Sequence, residues 1–236
     1  YMHDQLERWD DPTIAVRKAA LSPHADANNA FSFTPMDVDM TNKFGDEGLF
    51  LFEGGDIADA RRAGVQVRAR ERRAGRESDV NPAAIYGHAN PRGILLGYRH
   101  DEEGRILAQG GYLIPEGIDV IDLEAAYANH TQVSMALQKL FGPNCRLILS
   151  ACSAGGVPKP VEGEASAPDG GQPAQTRRNI AETLNLLYGA EVNAAPRISY
   201  DYTVEADGSI SYTVVGATDK DQIEEVPAVR YEARRG

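Results

Sequence analysis

LILSACSAGG, residues 147–156, runs from three aliphatic side chains through Ser150, Ala151 and Cys152 into two glycines. An apolar run of this length, closed by small residues, reads as a buried strand that ends at a turn. The cysteine at its end has two readings. It is a packed structural thiol, as most buried cysteines are, or a nucleophile held at the exposed end of a strand. A nucleophile needs an acid–base partner and donors for a developing oxyanion, and other parts of the chain must supply them.

The flanking sequence supplies candidates. DLEAAYANHTQVSMALQKLFGP, residues 122–143, is the clearest helix. Asp122 caps it, and Leu123, Ala126, Tyr127, His130, Val133, Leu137, Leu140 and Phe141 recur on one face until Gly142-Pro143 stops it. Upstream, AAIYGHAN (83–90) reads as a short strand closing on Gly87-His88, and GILLGYRHDEEGRILAQGG (93–111) as a β-hairpin. Strands joined by a crossover helix are normally parallel neighbours, so their carboxyl ends share one edge of the sheet. Open α/β sheets place their sites at that edge. His88 and Cys152 are therefore expected to meet there. Downstream, TRRNIAETLNLLYG (176–189) reads as a helix, AEVNAA (190–195) as a strand, and ISYDYTVEADGSISYTVVG (198–216) as a second hairpin turned at Asp207-Gly208.

The expected fold is thus α/β, a mainly parallel central sheet flanked by helices and carrying two β-hairpins, over residues 49–217. LFLFE (49–53) is its first strong strand. Residues 1–48 read as an irregular segment with at most a short helix after Pro12. SPHADANNAFSFTPMDVDMTNKFGDEG (22–48) reads as loop, and residues 218–236 as a charged, loosely held tail. Residues 157–175, rich in Pro, Gly, Ala and Glu, read as a long loop.

The chain has 236 residues and a formal net charge of −11, which disfavours nucleic-acid and anionic-membrane partners. No apolar run reaches the roughly 20 residues that span a bilayer. The chain opens on Tyr1 and reads as a piece of a longer protein. YMHDQLERWDDP lacks the basic-then-apolar shape of a signal peptide. Cys145 and Cys152 sit at opposite ends of one strand, too far apart to bridge. Two cysteines and five scattered histidines give no zinc spacing. No metal or cofactor is expected, and the thiols suit a reducing compartment such as the cytoplasm. Cys145 reads as structural and His130 as a packed core histidine; His3, His24 and His100 have no arguable partner.

A hydrophobic strand ending in His, then a later one ending in Ala-Cys, resembles the caspase-like (clan CD) cysteine peptidases. That group includes separases, CHAT-domain proteases and the self-processing protease domains of bacterial toxins. IYGHAN (85–90) looks like their His-Gly block, LILSACSAGG like their Ser-Ala-Cys block, and NIAETLNLLYGAEVNAAPRISYD (179–201) like the helix–Gly–strand that follows the cysteine. The resemblance spans about residues 49–216 in element order. It implies a peptidase acting on a protein or peptide, its own chain or a fused domain, as a bacterial effector or toxin-processing enzyme delivered into a host cell.

The implied roles follow. Cys152 attacks the scissile carbonyl and His88 manages the protons, while the N–H groups of Cys152 and Ala89 hold the oxyanion. The family usually has glycine after the histidine. Ala89 can donate as well but restricts the backbone more, and Gly87 before the histidine is expected to take up part of the bend. Substrate choice falls to the strand after Cys152, with Ser199 and Asp201 as candidates. An acidic pocket built on Asp201 or Glu191 would favour Arg or Lys, and an apolar one Leu. Seven arginines lie between Arg61 and Arg76. They read as a solvated face or as a polyanion site of Arg61, Arg62, Arg68, Arg70, Arg72 and Arg73. By the resemblance that site would take inositol hexakisphosphate as an activator. Two other classes stay open: a non-catalytic pseudoprotease binding module on the same fold, and another Cys-dependent hydrolase or acyltransferase.

Overall fold

The computed structural model describes residues 7–23, 31, 33–54, 57–77, 80–91, 93–95, 99–100, 106–107, 144–157 and 178–234. The expected helix over 122–141 with His130, the loop over 158–175, and His3 and His24 lie outside these residues.

Five parallel strands form the centre of the sheet: β1 (Lys18–Pro23), β2 (Leu49–Gly54), β3 (Ala83–Asn90), β7 (Arg146–Ala151) and β8 (Glu191–Ala194). Their order across the sheet is β2-β1-β3-β7-β8, with the antiparallel β12 (Val229–Tyr231) closing the β8 edge. The chain is therefore α/β with a mixed, mostly parallel sheet. In the order 2-1-3-4-5 successive strands are added first on one side of β1 and then on the other, and such a switch point opens a crevice at the carboxyl edge.

Each face of the sheet buries its own apolar cluster. One face gathers Ala19, Leu21, Ala83, Ile85, Leu147, Leu149 and Ala151 under α2 (Ile57–Arg73) and α3 (Ile180–Tyr188). The other gathers Ala20, Ala84, Tyr86 and Ile148 under α1 (Phe33–Phe44) and a small antiparallel sheet of β9 (Ser199–Val204), β10 (Ile210–Val215) and β11 (Ile223–Pro227). β7 lies between two strands and is covered on both faces, so it reads as a continuous aliphatic run rather than an alternation.

Three expectations are corrected. Residues 1–48 are not merely irregular: KAALSP is β1, at the interior of the sheet, and FTPMDVDMTNKF is α1, with Met36 and Met40 one turn apart in the core. No helix follows Pro12; residues 14–17 are irregular and lead into β1, after a helical turn at residues 7–10. The tail is built into the fold, since β11 pairs with β10 and β12 with β8. The second hairpin forms as expected, with β9 and β10 antiparallel around Asp207-Gly208. In the first, β5 (Arg99–His100) pairs with β6 (Ile106–Leu107), while β4 (Gly93–Leu95) folds back on β3. No helix among the described residues is long and apolar enough to cross a membrane.

Candidate active site

β3 and β7 are direct parallel neighbours, in register from Ala83↔Leu147 to Gly87↔Ala151. One step past the last pair come His88, still on β3, and Cys152, the first residue after β7. Paired strands lie about 4.8 Å apart, and in-register residues share a face. That face is the one carrying Tyr86 and Ile148. The Phe31 ring meets the His88 ring edge-on, with centroids 5.0 Å apart. The half-buried Cys152 thiol donates to the Ser199 carbonyl at 3.4 Å.

The directions of the backbone amides follow from the ladders. The Ala19 N–H bonds the Pro82 carbonyl, so even-numbered residues of β3 turn their amides to β1 and odd-numbered ones to β7. β4 agrees: Asn90↔Gly93 closes its two-residue hairpin and Ala89↔Ile94 falls between hydrogen-bonded pairs. The Ala89 N–H is thus directed to the β7 side. By the same alternation the Cys152 N–H is directed to β3, level with the Gly87 carbonyl. Of the two amides expected at an oxyanion, that of Ala89 faces the β7 side and that of Cys152 faces the Gly87 carbonyl. Gly87 itself stays in register with Ala151 while holding a φ of 159°.

After Cys152 the chain turns sharply. Ser153 has a φ of 55°, the only non-glycine at positive φ among the described residues. Its N–H bonds the Arg197 carbonyl at 2.8 Å, and the Gly155 N–H bonds the Ala195 carbonyl at 2.9 Å. Gly156 lies so close to the Pro196 carbonyl that a Cβ would come within 2.8 Å of it. The strand that follows is bulged: Val214 faces Ser199 and Thr213 faces Asp201, leaving Tyr200 as an extra, exposed residue.

The two substrate-binding candidates fare differently. Ser199 lies against Cys152 through its carbonyl. Asp201 is exposed and paired to Lys43 of α1 at 2.6 Å, and Lys43 also pairs with Asp39 and sits 4.0 Å above the Tyr202 ring. Asp201 therefore shares one lysine with Asp39 and is tied to α1. Beneath this pair the Tyr86 hydroxyl donates to Asp39 and lies 3.0 Å from that of Tyr202. Burial foremost, with Tyr202 and the Asp39 carboxylate beside it, pushes the Tyr86 phenol well above its ordinary value. Glu191 is removed from the site, since it begins β8 at the opposite edge of the sheet, bonded to Arg146 and Arg230. Burial works to raise its carboxyl, but hydrogen bonds from Asn193 and Arg146 and the arginine charge hold it below the ordinary glutamate value. A cavity of about 810 Å³ lies at that same edge, lined by Asn81, Cys145, Arg146, Glu191 and Arg234. Cys145 is buried there, as a structural thiol would be.

The arginines divide between two roles. Arg62, Arg68, Arg72 and Arg73 are exposed on α2, with Arg62 paired to Asp59; the side chain of Arg61 lies outside the described residues. Arg70 is corrected: it is 5% exposed, bonds Glu71 at 2.6 Å and donates to the carbonyls of Arg8, Trp9 and Asp11. Its guanidinium also lies over the Trp9 and Phe50 rings. Arg70 holds the N-terminal segment in place and is closed to a polyanion.

Asn179 has no signal in the sequence beyond its place before an apolar helix, yet it touches the turn that follows Cys152. Among the described residues, no group of three or more His, Cys, Asp or Glu side chains is gathered to hold a metal ion. Comparison of the chain with known protein families, with curated proteins and with solved structures gave no match.

Proposed function

We propose that this chain is a cysteine endopeptidase of the caspase-like kind, with Cys152 as nucleophile and His88 as its acid–base partner. The single observation that supports this reading is the shared register of β3 and β7, which ends one residue before His88 and Cys152. A mainly parallel sheet flanked by helices is also the fold that the resemblance implies.

The chemistry uses few groups. The Cys152 thiol gives its proton to His88, the resulting thiolate adds to the scissile carbonyl carbon, and the oxyanion gathers at the Ala89 and Cys152 amides. The C–N bond then breaks, with the amine leaving on a proton from His88. Water, giving a proton to His88, adds to the thioester, and the acid departs as the thiol re-forms. At rest the thiol rests on the Ser199 carbonyl. A substrate must draw it from that contact toward His88.

A peptidyl acyloxymethyl ketone library tests the proposal, together with turnover of a mixed peptide pool. Labelling is expected at Cys152 alone, lost in Cys152→Ala, with peptide turnover reduced at least about a thousandfold in Cys152→Ala and His88→Ala. Equal labelling of wild type and Cys152→Ala, or full turnover by His88→Ala, would overturn it. A folded wild type that neither labels nor cleaves would point to a binding module on the same architecture.

A further inference from the structure

We infer that Asn179 is a positioning residue for the Cys–His pair: the start of α3 is the splice that holds the His88 hairpin and the Cys152 turn at a fixed distance. The inference rests on the peptidase reading above. Three bonds at this helix end reach the two loops. The Ile180 N–H bonds the Pro91 carbonyl at 2.8 Å, in the turn that directly follows β3 and its His88. The Ala181 N–H bonds the Ala154 carbonyl at 3.3 Å, in the turn after Cys152. The Asn179 amide donates to the Gly155 carbonyl at 3.0 Å. The first N–H groups of a helix have no partner within it. Here they are spent on the two loops and not on solvent.

Asn179 is the one side chain in the splice, and its chemistry is fully specified. Its Oδ1 accepts the Glu182 N–H at 2.8 Å, which caps the helix. Its Nδ2 gives one hydrogen to Gly155 and the other to the Tyr231 hydroxyl at 2.8 Å. An N–H can only donate and a carbonyl can only accept, so the amide has one possible orientation and every hydrogen-bonding group is matched. Serine or aspartate would cap as well, but neither can cap and also donate to Gly155 and Tyr231. Gly155 itself admits no side chain, because a Cβ would come within 2.9 Å of Val229. The turn is thus pressed against β12 on one side and tied to α3 on the other.

The test separates position from stability. Asn179→Ser and Asn179→Asp keep the cap and lose the tie. Thr183→Val loses a bond of the same cap, from the Thr183 hydroxyl to the Asn179 carbonyl at 2.9 Å, and leaves the three loop bonds in place. Peptide kcat and KM are measured well below each thermal midpoint, with the rate of Cys152 alkylation by iodoacetamide followed against pH. The Asn179 variants are expected to lose kcat about tenfold or more, with KM within about twofold. Their alkylation profile should move toward that of His88→Ala, while Thr183→Val keeps the wild-type profile and kcat. Asn179 variants that match Thr183→Val in both readouts at equal loss of midpoint overturn the inference. If the wild type cleaves no peptide, the peptidase reading fails by itself. The alkylation profiles still decide whether Asn179 sets the His88–Cys152 relation: a shift shared with His88→Ala supports it, and an unmoved profile overturns it.

Discussion

Ala89 and Ser153 carry opposite backbone demands on either side of the proposed site. Ala89 sits in β3 opposite Ile94 and needs no positive φ, so its methyl group costs the strand nothing. Ser153 holds a left-handed φ of 55°, which a residue with a Cβ adopts at a cost of about 1–2 kcal/mol. Glycine at position 89 is therefore unnecessary here, although the resemblance leads one to expect it. Ala89→Gly should leave kcat within about twofold and lower stability by about 0.5–1 kcal/mol, the usual entropic cost of glycine in a strand. A urea titration alongside peptide turnover checks this. A gain in kcat of tenfold would show that the alanine constrains the amide after all.

Among the elements, α2 shows how a charge-rich sequence can be half structural. Glu71 is buried in the last turn of the helix, bonded by Arg70 at 2.6 Å, by Arg76 at 2.7 Å and by the Val16 N–H at 3.3 Å. Burial works to raise the Glu71 carboxyl. The Arg76 and Val16 hydrogen bonds and the two guanidinium charges outweigh it and hold the group below its ordinary value. A depressed carboxyl contributes stability that is complete above the ordinary glutamate value and is lost as pH falls through the folded one. Glu71→Gln should cost about 3 kcal/mol near neutral pH, because it leaves Arg70 buried without its counter-charge. The gap to wild type should narrow by about pH 3, where the glutamate is protonated. Urea midpoints at both pH values test it, and a gap independent of pH would refute the linkage.

The elements also mark what the sequence disclosed. β2, β3, β7, β8, α3 and the β9–β10 hairpin were legible because apolar runs and turn residues coincide in them. β1 was not, since KAALSP is mostly small residues of low strand propensity, and its place is set by neighbours on both sides. α1 was hidden by its Asp, Pro and Asn content, with Met36 and Met40 fully buried on it. Of the proposed site, the neighbouring ends of β3 and β7 were legible as strand ends, while the roles of His88 and Cys152 rest on the resemblance. The Lys43–Asp201 pair and the Asn179 tie depend on residues far apart in the chain, which no local pattern reveals.

On the scale of the whole molecule, the C-terminal strand is part of the frame. β12 covers the β8 edge, Asn185 donates to the Glu232 carbonyl at 2.8 Å, and Arg234 donates back to Asn185 at 3.0 Å. Ending the chain after Ala228 opens a sheet edge and removes the C-terminal partners of the Asn179 and Asn185 amides, which keep their bonds to Gly155 and Ala190. The thermal midpoint is expected to fall by about 10 °C or more. An unchanged midpoint would mean that β12 is dispensable.

The Asn179–Tyr231 bond spans 52 residues and joins the turn after Cys152 to the last strand of the fold. Chains emerge from the ribosome amino end first. Cys152 and His88 leave long before Tyr231 does, so the two proposed reactive groups spend part of synthesis without the brace that fixes their spacing. Completion of the site is thereby timed to completion of the sheet.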